Sequence, residues 1–291
     1  MSRPGTATLA RPARLALPHV AGRRGFRPSL VAGVGLVGGM VLLALFAPAV
    51  ALHAPNLQEL SKSQQPPAWL PGGSWENPLG TDHLGRDVLS RIVFGTRVSL
   101  IVGAGGVALA LVLGLVVGLI AGYLRGWVDE AVMRLADVQL SLPYLLFVVS
   151  IVGVLGPSLR NVVLVFGVAD FPLFARMTRG EALRLRAAPF VEAAVATGAS
   201  QARILARHML PNMVGVLAVV VAFEMAAMIL YEAGIGFLGL SVPPTVPSWG
   251  NMLADGRSYL TTSWWIATFP GLAILLTTLG INLVGDWLRR L

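Results

Sequence analysis

Long apolar runs separated by polar stretches set the character of this chain. Six of them approach the roughly 20 predominantly apolar residues a helix needs to cross a bilayer. They are Leu30–Leu52, Val98–Leu124, Val138–Leu155, Ser158–Ala175, Asn212–Leu230 and Trp264–Val284. The fourth is weak, since it contains Asp170 and Pro172, and Pro143 near the start of the third predicts a kink. In the second, Gly106, Ala110, Gly114, Gly118 and Gly122 recur every four residues. Such a ladder of small residues lets a neighbouring backbone approach closely. The pattern predicts an all-α membrane protein of about six spans with both termini on one side.

The polar stretches divide the chain further. Residues 1–28 hold six arginines, no acid and scattered Pro and Gly, and read as a basic tail against anionic lipid. A cleaved signal peptide is disfavoured, because the run Leu30–Leu52 exceeds the usual apolar core of about 7–15 residues. Residues 29–97 comprise the first span and a polar, neutral segment. The end of that segment turns amphipathic, with Val88, Leu89, Ile92 and Val93 on one side, and predicts a helix lying in the membrane interface before the second span. Residues 98–291 form the core, interrupted by a basic island at 176–211, and Gly234–Pro247 reads as an irregular re-entrant or surface segment.

Composition agrees with this class. The 291 residues are 55% hydrophobic and 12% charged, where a soluble domain carries about 25% charged residues. The net charge of +8 does not point to nucleic acid, because the basic residues fall between the apolar runs. With six spans, 16 Lys and Arg lie on the side of the tail and the 176–211 island, against 6 on the other. That asymmetry places the island and both termini of a multi-pass membrane protein in the cytoplasm. Cys is absent, so there is neither a disulfide nor a thiolate metal site.

Motifs for catalysis are missing. A phosphate-binding G-x-x-x-x-G-K-[ST] loop needs a lysine, and the single Lys62 lacks the preceding glycines. His19, His53, His83 and His208 are scattered, and neither H-E-x-x-H nor G-x-S-x-G occurs. The expectation is a non-enzyme that holds no cofactor or metal of its own. Asp170, Glu224 and Glu232 are the ionisable groups nearest membrane depth. Such residues face a bundle interior or an aqueous cavity. They serve either as contacts along a translocation path or as structural hydrogen-bond partners.

The island is organised around Val191–Pro211. Pro189 suits the first turn of a helix, with Ala188 before it biased out of α geometry. Glu192 then sits near the helix N-terminus beside the small pair Ala193-Ala194, and Gly198 offers the left-handed residue that stops the helix. Ser200 is positioned to cap the next helix, which carries Arg203 and Arg207 on one face, and Pro211 reads as a second stop. By spacing alone this is either a docking element or an ordinary cytoplasmic loop.

At these residues the chain resembles the permease subunits of ABC importers, whose mark is E-A-A-x3-G-x9-I-x-L-P. Glu192, Ala193, Ala194, Gly198, Leu210 and Pro211 match in register, with His208 at the isoleucine position. Gly80–Arg91, Glu232–Leu240 with Pro243-Pro244 and Pro247–Asn251, and Asn282–Asp286 resemble the C-type subunit of oligopeptide, dipeptide and nickel importers. The resemblance implies a type I importer permease that moves short peptides. It implies a homologous second permease, two cytoplasmic ATPases that bind the ATP and Mg, an extracytoplasmic peptide-binding protein, and surrounding membrane lipid as partners. It further implies that Glu192, Ala193, Ala194, Gly198, Ala199, Ser200, Arg203 and Pro211 couple to an ATPase. An ion-gradient-driven secondary transporter is the alternative; it needs no docking island and usually shows inverted repeats, of which no clear one is visible.

Overall fold

A computed structural model of the chain describes residues 28–290; the basic tail expected over residues 1–28 therefore lies outside them, apart from Pro28. Among the described residues, regular structure is helical, with one isolated antiparallel bridge, Thr81 to Asp87. The helices are α1 (Pro28–Leu45), α2 (Ala47–Val50), α3 (Val88–Leu124), α4 (Gly126–Leu140), α5 (Tyr144–Leu155) and α6 (Leu159–Arg186). They continue as α7 (Pro189–Ala196), α8 (Gln201–Arg203), α9 (Leu210–Phe237), α10 (Trp249–Gly256) and α11 (Trp265–Leu288). Five helical rods are long and apolar enough to cross a membrane, and a sixth arises if α4 and α5 count as one broken span.

That broken span bends by 87° at residues 141–143, where Pro143 was expected to kink it. The expected span Val138–Leu155 is thus divided: α5 alone has 12 residues, about 18 Å of helix, too short for a bilayer.

The small-residue ladder works as expected. α3 packs along α6, and a Cβ added at Gly114 would lie 2.4 Å from the Phe174 Cβ, while one at Gly118 would lie 2.3 Å from the Ala175 carbonyl. Ala110 is fully buried in the same seam. Val102, Phe166, Phe174 and Met228 continue it into a core between α3, α6 and α9.

Three boundaries differ from expectation. The interface helix and the second span are one 37-residue helix, α3, so the expected division at residue 97/98 falls inside it. Its first turns are buried in protein and do not lie on lipid: Val88, Arg91 and Val93 are essentially inaccessible, because α10 packs there and Trp249 Nε1 donates to the Ile92 carbonyl at 3.1 Å. Likewise α6 runs unbroken from the fourth span to Arg186, so Arg176–Arg186 belong to a membrane rod and not to a loop. Finally, Pro211 does not stop a helix. The chain is helical from Gln201 to Phe237, and residues 204–209 are wound wider, with Leu210 N donating to the Leu205 carbonyl five residues back. A proline ring clashes with the carbonyl four residues earlier in a regular α-helix; the wider turn just before Pro211 gives that ring room.

Residues 51–87 form an extramembrane cap held by long-range bonds. Gln64 accepts from Ser263 Oγ (2.8 Å), and Trp265 Nε1 donates to the Thr81 carbonyl (3.0 Å). On the cap surface Lys62 bridges Glu59 (2.7 Å) and Glu76 (2.8 Å). The hydrogen bonds that Lys62 donates to Glu59 and then Glu76 raise its pKa, and Lys62 in turn lowers that of Glu76.

Candidate functional site

The island folds into a short clamped helix. Ala188 is extended (φ −82°, ψ 140°) and Pro189 occupies the first turn of α7, as its fixed φ favours. At the other end Gly198 has φ +79°, its N–H donates to the Val195 carbonyl (2.9 Å), and the Ala199 N–H reaches back to the Ala194 carbonyl (3.0 Å). These two bonds make a Schellman stop, which needs the left-handed residue that glycine supplies without strain. Ser200 stands at the cap position of α8, but its side chain makes no capping bond, contrary to expectation.

One face of α7 is fixed inward. Val191 and Ala194 pack with Tyr123, Leu185, Ile204 and Met213, tying the ends of α3, α6 and α9 together. Its outward face presents Phe190, Glu192, Ala193, Val195 and Ala196. The island's charge is largely spent within the chain. Arg176 pairs with Asp137, Arg179 with Asp129 (Nη2 to Oδ2, 2.7 Å), and Arg184 with Glu181. Arg186 donates to the Tyr123 carbonyl and lies 5.2 Å over its ring. Arg203 and Arg207 are the arginines of the island that remain outward without an ion-pair partner among the described residues.

The three carboxylates separate into two places. Asp170 on α6 and Glu224 on α9 are neighbours: Phe166, one turn before Asp170, and Tyr231, two turns after Glu224, both pack against Tyr144. Beside them stand Tyr144 and Tyr231, whose ring centroids are 4.5 Å apart. Glu232 does not join them. It is fully buried and accepts from Ser99 Oγ (3.1 Å) and Ser241 Oγ (2.7 Å), with Ser248 as a third hydroxyl. It fastens α3 and the 238–248 loop to α9, which is the structural hydrogen-bonding role of the two expected for it.

Residues 114–291 match the family described as the binding-protein-dependent transport system inner membrane component. This is more than half of the chain. The protein belongs to that family.

Relatives agree along nearly the whole length. The chain is 40% identical over 270 residues to the di/tripeptide transport system permease protein DppC of Pseudomonas aeruginosa, covering 91% of this chain and 89% of the relative. It is 42% identical over 266 residues to the dipeptide transport system permease protein DppC of Escherichia coli, with 91% and 89% covered. Among solved structures it is similar to a chain of the MetNI methionine ABC transporter in inward-facing conformations (TM-score 0.57, 19% identity), covering 69% of this chain and 95% of that one. The fold is therefore that of a type I ABC importer permease.

In this chain α7, Asp170, Glu224 and Glu232 all fall in the family-matched region, whereas the cap precedes it. Sequence reasoning missed the buried ion cluster that seats the cap. Asp82 Oδ2 meets Arg86 Nε (2.6 Å) and Arg91 Nη1 (3.3 Å), while Asp255 Oδ2 meets Arg86 Nη2 (2.9 Å) and Arg91 Nη2 (3.6 Å). His83 brings a third potential ligand near those two carboxylates. Both Asp82 oxygens are already occupied by donors, including the Leu84 and Arg86 amides, so the cluster is an ion-pair junction and a poor cation site. Tyr144 and Tyr231 were also missed; nothing in their spacing brings them together.

Proposed function

We propose that this protein is one of two translocating subunits of an ATP-driven importer of short peptides, and that α7 is where power from separate ATPases enters. The clamped geometry of α7 carries the reading. A helix stopped by Gly198, pinned inward by Val191 and Ala194, and joined to three membrane rods moves with them as one body. Its small outward face at Ala193 and Ala196, with Glu192 beside it, suits a groove on a soluble partner. Differential contact with two partner states is what shifts a conformational equilibrium.

The chain itself is non-catalytic, and ATP with its Mg is bound by the partner ATPases. A homologous permease completes the pathway and an extracytoplasmic binding protein delivers cargo. Relatives named for di/tripeptide and dipeptide transport support the cargo class. On this reading the protein sits in a bacterial cytoplasmic membrane with α7 and both termini in the cytoplasm, as its arginine distribution favours.

Glu192→Lys and Gly198→Val test it in the reconstituted importer. Both variants insert into the membrane normally and lose peptide uptake. Normal uptake with normal ATPase association in both would overturn the coupling role. Uptake blocked by vanadate supports the importer, whereas uptake that collapses with an uncoupler at constant ATP supports an ion-driven carrier.

A further inference from the structure

The Asp170–Glu224 pair has no cation to answer it. Neither carboxylate has an ion-pair partner among the described residues, and Val98–Leu124 of α3, α5 and α9 contain no Lys, Arg or His. The nearest arginine along α6, Arg176, is engaged by Asp137. Two carboxylates this close in a medium of low dielectric do not both ionise unless a positive charge joins them. Yet the pair lies near mid-span, about 17 Å along α6 from Leu159, where ionisable groups are costly to hold.

A second observation is the enclosure of unpartnered polar atoms beside the pair. Asp170 is 8% exposed, and its Oδ2 is wholly enclosed with no hydrogen-bond partner; the enclosed Tyr144 hydroxyl beside it also lacks one. Buried polar atoms are nearly always satisfied. Glu224 and Tyr231, by contrast, are only partly buried, so the cluster has an open side. Glu232, by comparison, has hydroxyl donors on both of its oxygens. Asp170 has no such set.

We propose that Asp170, Glu224, Tyr144 and Tyr231 form a transient binding site for a primary ammonium group of the cargo, as carried at the amino end of a peptide. This rests on the importer reading above. An ammonium supplies three donors and one positive charge, which the unpartnered Oδ2, the Glu224 carboxylate and the Tyr144 oxygen are placed to accept. The adjoining aromatic faces favour a cation as well. The site orients cargo amino-end first against α5, α6 and α9; between cargoes the pair shares a proton.

The complete importer in proteoliposomes, with its binding protein and ATP, provides the test. Dicyclohexylcarbodiimide modifies protonated carboxyls in apolar surroundings, and peptide mapping by mass spectrometry reads it at each residue. Asp170 or Glu224 is modified in the absence of cargo. Alanyl-alanine slows that modification about tenfold, equivalent to roughly 1.4 kcal/mol, and methylammonium, which needs no delivery, slows it too; neutral acetamide does not. Asp170→Asn and Glu224→Gln each lower alanyl-alanine uptake, and Asp170→Glu restores part of it.

ATP-driven uptake with modification indifferent to both amines overturns the site and leaves the importer reading standing. Equal protection by acetamide overturns the ammonium assignment. If no ATP-driven uptake occurs at all, the importer reading falls, and the methylammonium arm still decides whether the cluster binds an amine.

Discussion

Gln139 of α4 closes the gap that Pro172 leaves in the backbone of α6. Proline has no N–H, so the Val168 carbonyl four residues earlier loses its helical donor. Gln139 Nε2 takes that place, donating to Val168 O (2.8 Å) and to Ala169 O (2.9 Å). One amide thus lets a span tolerate an internal proline two residues after Asp170. Gln139→Ala should cost about 1 kcal/mol in thermal stability of the solubilised assembly. In a Pro172→Ala background, where the N–H is restored, the same substitution should cost distinctly less; an equal loss in both backgrounds would show that the two residues act independently.

Two glycines of similar appearance, Gly118 in the α3–α6 seam and Gly215 on α9, make opposite predictions. At Gly118 even a methyl group meets the Ala175 backbone, whereas at Gly215 nothing lies within 4 Å. Gly118→Ala should destabilise by about 1–3 kcal/mol, as overpacking does. Gly215→Ala should be neutral or stabilising by up to about 1 kcal/mol through helix propensity. Melting of the purified assembly followed by size-exclusion recovery distinguishes them.

The cap junction should respond unequally to its two acids. Asp82 is almost fully enclosed, while the Asp255 side chain is 33% exposed. Asp82→Asn leaves Arg86 and Arg91 poorly compensated and should cost about 3–5 kcal/mol, with a sharp rise in proteolysis within residues 51–87. Asp255→Asn should cost less and leave the cap mostly protected. The reverse order would mean that Asp255 is the anchor.

Helix caps give a finer contrast. Ser158 Oγ accepts the Asn161 amide (3.1 Å) at the start of α6, while Ser200 makes no such bond. Ser158→Ala should therefore cost about 1 kcal/mol, and Ser200→Ala should be nearly silent in both stability and uptake. A marked loss of uptake with unchanged stability in Ser200→Ala would indicate that its hydroxyl faces a partner.

What the sequence revealed was local. Pro189 and Gly198 bound α7 because each fixes backbone geometry by its own covalent structure, and the four-residue ladder of α3 names its packing face without knowledge of the partner. Pro211 misled for the same reason: a proline predicts a stop only if the turn before it keeps α geometry, and that turn widens in this chain. The division placed at residue 97/98 followed hydropathy, which registers polar residues but not whether protein or water surrounds them; Arg91 is polar and nearly inaccessible. Arg86 meets Asp255 across 169 positions, and Tyr144 meets Tyr231 across a long stretch as well, so no window along the chain contains either pair. Asp170 and Glu224 were each conspicuous alone. Their juxtaposition, and the separate enclosure of Glu232, are properties of packing.

The missing side chains between α3 and α6 have a mechanical consequence. Two rods in close contact along the second half of α3 resist bending in their common plane far more than either would alone, as laminated strips do. The Tyr123–Arg186 clasp sits at one end of this laminate; the Asp82–Arg86–Arg91 junction lies at the first turns of α3, beyond its other end, about 50 Å away by helix rise. A torque applied at the clasp therefore travels through the laminate as rotation of a stiff body, and reaches the cap through the first turns of α3, which are held against Trp249 and Ile229.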